Sequence, residues 1–313
     1  MVAQKPQRLR KGDAIGIISP ASSPDDLGRI NKGVTYFEKL GYRVEVGKNV
    51  GKYSGYLAGS DEERVEDLHA MFANKKIKGI VCVRGGYGSP RLLDKINYRL
   101  IKKNPKIFVG YSDVTALQLA FFRKANLVTF GGPMLAVDFH SEVNPYTEEN
   151  FWRTVTSTKK IGKVRLPENE TLLPLTGGKA EGEIIGGNLS LVLALLGTPY
   201  FPKMKNKILF IEDVDEAPYR IDRMLNHLAI GGVLGKISGV LLGEFTECEE
   251  KDQEKKSLKL EEVLQNYLGD LNIPIIKNFP HGHRKANFTI PFGISTKLNA
   301  EKGYVEFLES AVI

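Results

Sequence analysis

A serine stands between an apolar strand and an apolar helix in "VGYSDVTALQLAFF" (Val109–Phe122). Two chemistries suit that position. Ser112 or Asp113 can cap the helix, as small polar residues at such junctions often do. Alternatively, the tight turn presents Ser112 Oγ as a nucleophile, with the positive end of the following helix behind it. Gly110, two residues earlier, allows a close approach. Val114 occupies the place where a G-x-S-x-G elbow has its second glycine. Taken alone, the turn leaves both readings open.

A serine hydroxyl needs a base at neutral pH. The five histidines are His69, His140, His227, His281 and His283. His69 and His227 fall within predicted helices, and His140 sits in the loop "DFHSE" without an obvious partner. The stretch "PHGHRKANFTIPFG" (Pro280–Gly293) is the best source of a base. His281-x-His283 also suits two metal ligands, but no cysteine or carboxylate at ligand spacing completes a metal site. A carboxylate to orient the imidazole is available in "KILFIEDVDEAPYRIDRML" (Lys207–Leu225). Glu212 follows an apolar strand, at the end where α/β sites lie. Glu212 and Asp213 must point to opposite sides of that strand, so only one can serve, and a solvated strand end remains an equal reading of Glu212. Asp215 and Glu216 read as first-turn acids ahead of Pro218, favourable to the helix dipole.

Donors for an oxyanion are the remaining requirement. "IVCVRGGYGSPRLL" (Ile80–Leu93) places a glycine pair directly after a buried strand, where backbone N–H groups can approach a substrate unobstructed. A phosphate-binding turn is the rival reading. The spacing departs from G-x-G-x-x-G, however, and no acidic residue follows at the usual distance. A plain turn also fits.

The elements that must position these residues follow from periodicity. Continuous apolar runs at Ala14–Ser19, Gly79–Val83 and Ile107–Val109, with a strand at Tyr42–Val46, alternate with helices. The helices span about Asp26–Leu40, Asp61–Phe72 (capped by Ser60, with Glu63 three residues on) and Val114–Lys124, with short helices through Leu100. This rhythm predicts a parallel sheet with helices on both faces. Around residue 160 the texture turns to Lys, Pro, Gly and polar residues, which reads as a linker over 161–180. The expected division is an N-terminal α/β domain over 1–160 and a C-terminal β/α domain over 181–313. The second domain has strands at Ile208–Ile211, Gly239–Leu242 and Val305–Leu308, and helices near Leu189–Leu195, Ile221–Leu228 and Leu260–Leu268. Glu247–Ser257 reads as a charged, solvent-facing loop.

Composition narrows the classes. With 44 basic and 37 acidic residues the 313-residue chain carries a formal charge of +7, but the basic clusters (Lys75-Lys76-Lys78, Lys102-Lys103) lack interleaved aromatics, so nucleic-acid binding is not expected. The surplus suits an acidic small substrate. The N-terminal stretch has no apolar core of a signal peptide, and no run is long enough to span a membrane, so a cytoplasmic protein is expected. Two cysteines, Cys82 in an apolar strand and Cys248 in the charged loop, suit neither a disulfide framework nor a zinc site.

Taken jointly, "GDAIGIISPAS", "VRGGYGSPRLL", "VGYSDVTAL", "GGNLSLVLALLGTPY", "FIEDVDEAPYRIDRML" and "GHRKANFTIPFG" resemble the serine LD-carboxypeptidases, which include muramoyl-tetrapeptide carboxypeptidases and microcin C immunity peptidases. The resemblance implies an N-terminal parallel sheet domain of glutamine-amidotransferase-like kind and a C-terminal swivelling β/α domain. It implies a Ser112–Glu212–His283 triad, with His283 preferred to His281, and an oxyanion hole from the backbone N–H groups of Gly86 and Asp113. No metal or cofactor is implied, and homodimers are usual in the family. The expected reaction is release of terminal D-alanine from murein tetrapeptides during cell-wall recycling. The alternatives are cleavage of peptide-nucleotide antibiotics and a catalytically silent binder of cell-wall peptides. In the antibiotic-cleaving branch an aromatic residue, often tryptophan, commonly stacks on the nucleobase from an inserted loop; the single Trp152 here reads as helix packing instead. Arg84 and Arg223 are basic residues within these stretches, each open to a structural or a substrate-binding role.

Overall fold

The computed structural model, which describes residues 3–252 and 254–313, holds a six-stranded and an eight-stranded sheet. The first half builds β1 (Ala14–Ile18), α1 (Gly28–Lys39), β2 (Arg43–Val46), α2 (Asp61–Ala73), β3 (Ile77–Cys82), α3 (Tyr98–Lys103), β4 (Ile107–Gly110), α4 (Thr115–Ala125), β5 (Thr129–Gly131) and α5 (Pro145–Thr156). β1 and β4 are buried along their whole length, which is why their sequences carry no polar alternation. α2 starts where Ser60 Oγ accepts from Glu63 N–H (3.2 Å) and Glu63 Oε2 accepts from Ser60 N–H (2.9 Å). β1 to β5 run parallel.

The second half builds β6 (Gly162–Lys163), β7 (Leu173–Thr176), β8 (Lys179–Asn188), α6 (Leu189–Leu195), β9 (Ile208–Val214), α7 (Pro218–Ile230), β10 (Gly239–Thr246), α8 (Leu260–Leu268), β11 (Ile275–Lys277), β12 (Ile290–Phe292), β13 (Ser295–Asn299) and β14 (Tyr304–Phe307). The second sheet runs β6-β14-β13-β8-β9-β10-β11-β7. β8 serves two neighbours: Lys179–Glu183 pairs antiparallel with β13, and Ile184–Asn188 pairs parallel with β9.

β12 leaves this sheet altogether. It joins the first as an antiparallel edge, Ile290 opposite Gly131 and Phe292 opposite Thr129, giving the order β12-β5-β4-β3-β1-β2. The chain between β11 and β12 must therefore cross from one sheet to the other, and it carries His281 and His283 as it does so.

Several local expectations are corrected. The stretch read as a linker holds β6 and β7, both hydrogen-bonded at the margins of the second sheet. Cys248 is buried rather than solvent-facing, and burial pushes its thiol up to about 11. Asp215 is not in a first helical turn: α7 begins at Pro218, and Asp215 adopts φ +57° and pairs with Lys251. Among the described residues, no helix is long and apolar enough to cross a membrane.

Candidate active site

Ser112 follows β4 on a short 3-10 turn, Ser112–Val114, that leads directly into α4. Its φ of +61° lies in the left-handed region, which a non-glycine residue occupies at a cost of about 1–3 kcal/mol. The turn is crowded on one side. A Cβ at Gly85 would lie 2.9 Å from Ser112 Cβ and 3.0 Å from its Oγ, so only glycine lets the loop after β3 pass this close. Gly86 follows with φ +105°, and its N–H has no acceptor among the described residues.

Asp113 ties the loop to the turn. Its buried carboxylate accepts from the N–H of Gly88 (3.2 Å) and of Ser89 (2.7 Å), and from Ser89 Oγ. Ser22 holds the other flank: its Oγ accepts from Tyr87 N–H (3.1 Å) and donates to Tyr56 O (2.6 Å). The loop carrying Gly86 is thus clamped from two sides by groups distant in sequence.

Glu212 and Asp213 stand at the end of β9 and divide as strand alternation requires. Glu212 is buried and its Oε2 lies 2.9 Å from His283 Nδ1. Asp213 turns the other way and accepts from Asn188 Nδ2 (2.8 Å), Ser190 N–H (2.9 Å) and Ser190 Oγ (2.8 Å). An ionised carboxylate only accepts, so in the neutral ring of His283 Nδ1 carries the proton and Nε2 the lone pair. Burial pushes the Glu212 carboxyl up, against the His283 hydrogen bond. Burial alone would depress His283. The hydrogen bond and charge of Glu212 reverse this, helped by Asp213 and Asp138, and leave it above the ordinary histidine range.

His281 has a different environment. It is buried, its Nδ1–H donates to Phe288 O at 2.6 Å, and its ring stands edge-on to Phe210 and Tyr111. Burial pushes its pKa down to about 4, so it is neutral. The two imidazoles are directed at different partners, and no group of three potential metal ligands occurs among the described residues. Tyr111, the residue before Ser112, brings the two halves together: its ring lies 5.3 Å from that of His283. The other histidines stand apart, His69 accepting from Asn97 N–H at 2.9 Å and His140 and His227 on other elements.

Asp138 was not singled out by the sequence, because "LAVDFH" follows no motif. Its Oδ2 accepts from Met134 N–H (2.8 Å), and burial chiefly pushes its carboxyl up to about 6, while the charge of His283 pulls it down. It borders a cavity of about 440 Å³ that also includes Asn144, Thr147 and Lys285. Trp152 stacks on Tyr42 with centroids 4.9 Å apart and donates from Nε1 to Tyr36 Oη (2.9 Å).

A serine on a strained turn, an N–H without an acceptor beside it and an imidazole fixed by a buried carboxylate are the parts an acyl-transfer site needs. Residues 15–132 match the LD-carboxypeptidase N-terminal domain, and residues 181–298 match the LD-carboxypeptidase C-terminal domain. The chain belongs to the LD-carboxypeptidase family. It is 43% identical over 300 residues to the probable murein peptide carboxypeptidase of Bacillus subtilis, covering 95% of this chain and 92% of that one. The muramoyltetrapeptide carboxypeptidase from Oxalobacter formigenes superposes with a TM-score of 0.81 at 29% identity, over 94% and 97% of the two chains. MccF in complex with glutamyl sulfamoyl guanosine superposes with a TM-score of 0.90 at 29% identity, over 99% of each chain. The two-sheet α/β architecture is therefore that of the family, and carboxypeptidase activity is its general function.

Proposed function

We propose that this LD-carboxypeptidase family member is a serine enzyme that releases the terminal D-alanine from murein tetrapeptides, acting in the cytoplasm as a homodimer during cell-wall recycling. The observation that carries the reading is the 2.9 Å contact from His283 Nδ1 to Glu212, which leaves Nε2 as the acceptor of an imidazole whose ring lies 5.3 Å from that of Tyr111, the residue before Ser112. Similarity to the murein peptide carboxypeptidase of Bacillus subtilis supports the substrate class.

In this mechanism His283, held by Glu212, takes the Ser112 proton as Oγ attacks the carbonyl carbon preceding D-alanine. The N–H groups of Gly86 and Asp113 receive the developing oxyanion, and losing one such donor costs about 10²–10³ in rate. The C–N bond then breaks, His283 protonates the amine of departing D-alanine, and a peptidyl ester remains on Ser112. Water, deprotonated by His283, attacks the ester carbonyl; the bond to Oγ breaks, the protonated His283 returns the proton to Ser112, and the shortened peptide leaves as a carboxylate.

Similarity to MccF raises the second reading, cleavage of aminoacyl-nucleotide conjugates. Trp152 speaks against it as a nucleobase platform, since its ring already stacks on Tyr42 and bonds Tyr36. Mass spectrometry of L-Ala-γ-D-Glu-(Lys or diaminopimelate)-D-Ala incubated with the enzyme and with Ser112→Ala tests the proposal. Release of D-alanine by wild type alone is expected, and the preferred third residue emerges from the same assay. Release by neither, with turnover of an aminoacyl sulfamoyl nucleoside, overturns the murein reading in favour of the second.

A further inference from the structure

A carboxypeptidase must recognise a free carboxylate one residue beyond the bond it cuts. That carboxylate lies only ~3.8 Å of chain past the scissile carbonyl. Its partner must therefore stand beside Ser112 rather than across the cleft. A carboxylate drawn out of water also needs a cation that is not already neutralised.

Val81 of β3 pairs with Val109 of β4, and Arg84 and Ser112 each lie three residues beyond that pair. Arg84 thus leaves the sheet level with Ser112, immediately before the Gly85 that packs against the serine. The segment from Leu135 follows the same strand end, with Leu135 N–H donating to Cys82 O (3.0 Å) and Ala136 N–H to Val83 O (2.9 Å). Arg84 is half-buried there. Its Nε is fully buried with no hydrogen-bond partner, and its guanidinium makes no ion pair among the described residues. A buried donor left unmet is rare and points to a missing acceptor. The charge of Arg84 also acts on the phenol of Tyr111, next to Ser112, favouring its ionised form against burial and against Asp138 and Glu212.

The other cations near the cleft are committed elsewhere or lie outside it. Arg284 pairs with Glu244 at 3.2 Å and with Glu170. Arg223 lies over the Tyr219 ring, 5.6 Å from its centroid, on α7. Lys285 is exposed and borders the cavity on the α5 side.

We propose that Arg84 binds the terminal carboxylate of the departing amino acid. The planar fork of a guanidinium receives both carboxylate oxygens, which a lysine ammonium cannot do in one fixed geometry. This inference rests on the serine carboxypeptidase reading of the site, and it makes the enzyme discriminate against peptides whose last residue has no free carboxylate.

The test compares kcat/KM for the tetrapeptide with that for its C-terminal carboxamide, using the full-length enzyme, Arg84→Lys and Arg84→Ala. A fluorophosphonate without a carboxylate titrates Ser112 independently. Wild type is expected to prefer the acid by about 10²-fold. Arg84→Ala loses that preference through a raised KM for the acid, while amide turnover and Ser112 labelling stay within about twofold; Arg84→Lys keeps part of the preference. An Arg84→Ala enzyme that still prefers the acid overturns the assignment and leaves the carboxypeptidase reading standing. Equal loss on acid and amide with slowed labelling also overturns it, and makes Arg84 a support for the Gly86 loop. A wild type that cleaves neither peptide overturns the underlying reading as well.

Discussion

The turn that carries Ser112 and the loop that carries His283 are built by opposite means. The turn is local: four residues from the end of β4 to the start of α4, with the strain of a left-handed backbone concentrated at Ser112 itself. The loop is long and held at many remote points. Asn287 Nδ2 donates to Gly282 O (3.2 Å) and its N–H donates to Thr147 Oγ1 (2.8 Å), which in turn donates to Lys285 O (2.8 Å). Glu244 N–H donates to His281 O (2.9 Å), and Thr246 Oγ1 to His283 O (3.3 Å). One tight turn sets the Ser112 side chain, whereas the His283 loop, which crosses between sheets, is held in place by several segments.

The most severe break is at the turn. Ser112→Ala is expected to lower turnover at least 10⁴-fold. Ser112→Gly should be equally inactive yet more stable than Ser112→Ala by about 1 kcal/mol, because glycine occupies positive φ without strain. Thermal unfolding of the two variants reads the difference, and equal stabilities would show that the turn stores none.

On the loop side, His283→Ala should approach the Ser112 loss, while His281→Ala should cost far less in activity. The reverse order in a paired assay overturns the choice of base. Glu212→Gln is expected to cost about 10³–10⁴-fold, and it also has a sign in pH. His283 must be neutral to accept the serine proton, so kcat/KM rises as pH passes its raised pKa. Removing the Glu212 carboxylate removes the main raising influence and leaves burial, which lowers. The acid limb should therefore move to lower pH; a limb that stays fixed refutes the coupling.

Asn287→Ala tests whether remote support matters. The side chain is fully buried against Gly282, directly before His283. Its loss leaves the Gly282 carbonyl unmet, at about 1–3 kcal/mol of stability. A small shift of the imidazole should lower kcat by about 10–10²-fold. If stability falls and kcat does not, the loop is surveyed into place by its other contacts.

This contrast also explains what was legible in the sequence. β1, β3 and β4 announce themselves as apolar runs, α2 by its Ser60–Glu63 box, and the Ser112 turn by its place between strand and helix, where capping and a nucleophile are both open readings until the other motifs are joined to it. These are contiguous patterns. The crossing of β12 into the first sheet is not, since three residues pairing with Phe130 and its neighbours leave no periodic signature. The same holds for the two-sided pairing of β8 and for the strands within 161–180. Within the site, Glu212 and His283 were reached through motifs. The Asp113 clamp on Ser89 spans 24 positions and the Ser22 contact with Tyr87 spans 65, so both exist only once the fold has formed. Asp138 and the buried, unmet Nε of Arg84 are likewise products of packing.

The smallest effect belongs to His281, and it separates the two histidines by thermodynamics rather than rate. Folded His281 takes a proton only near pH 4, whereas an unfolded chain does so near 6.5. Between those values the unfolded state binds more protons, so stability falls as pH drops through that window, by up to about 3 kcal/mol from this residue. His283 works in the other direction: its raised pKa contributes stability that is present below the ordinary histidine range and lost as pH rises through the folded value. His281→Gln keeps an N–H for Phe288 O without titrating. Activity at pH 7.5 should stay within a few-fold. The stability gap between wild type and this variant, read from urea midpoints, should narrow steadily from pH 7 to pH 4.5. A gap that stays constant would mean that His281 is not held neutral, and that the loop positions its two imidazoles more alike than the hydrogen bonds indicate.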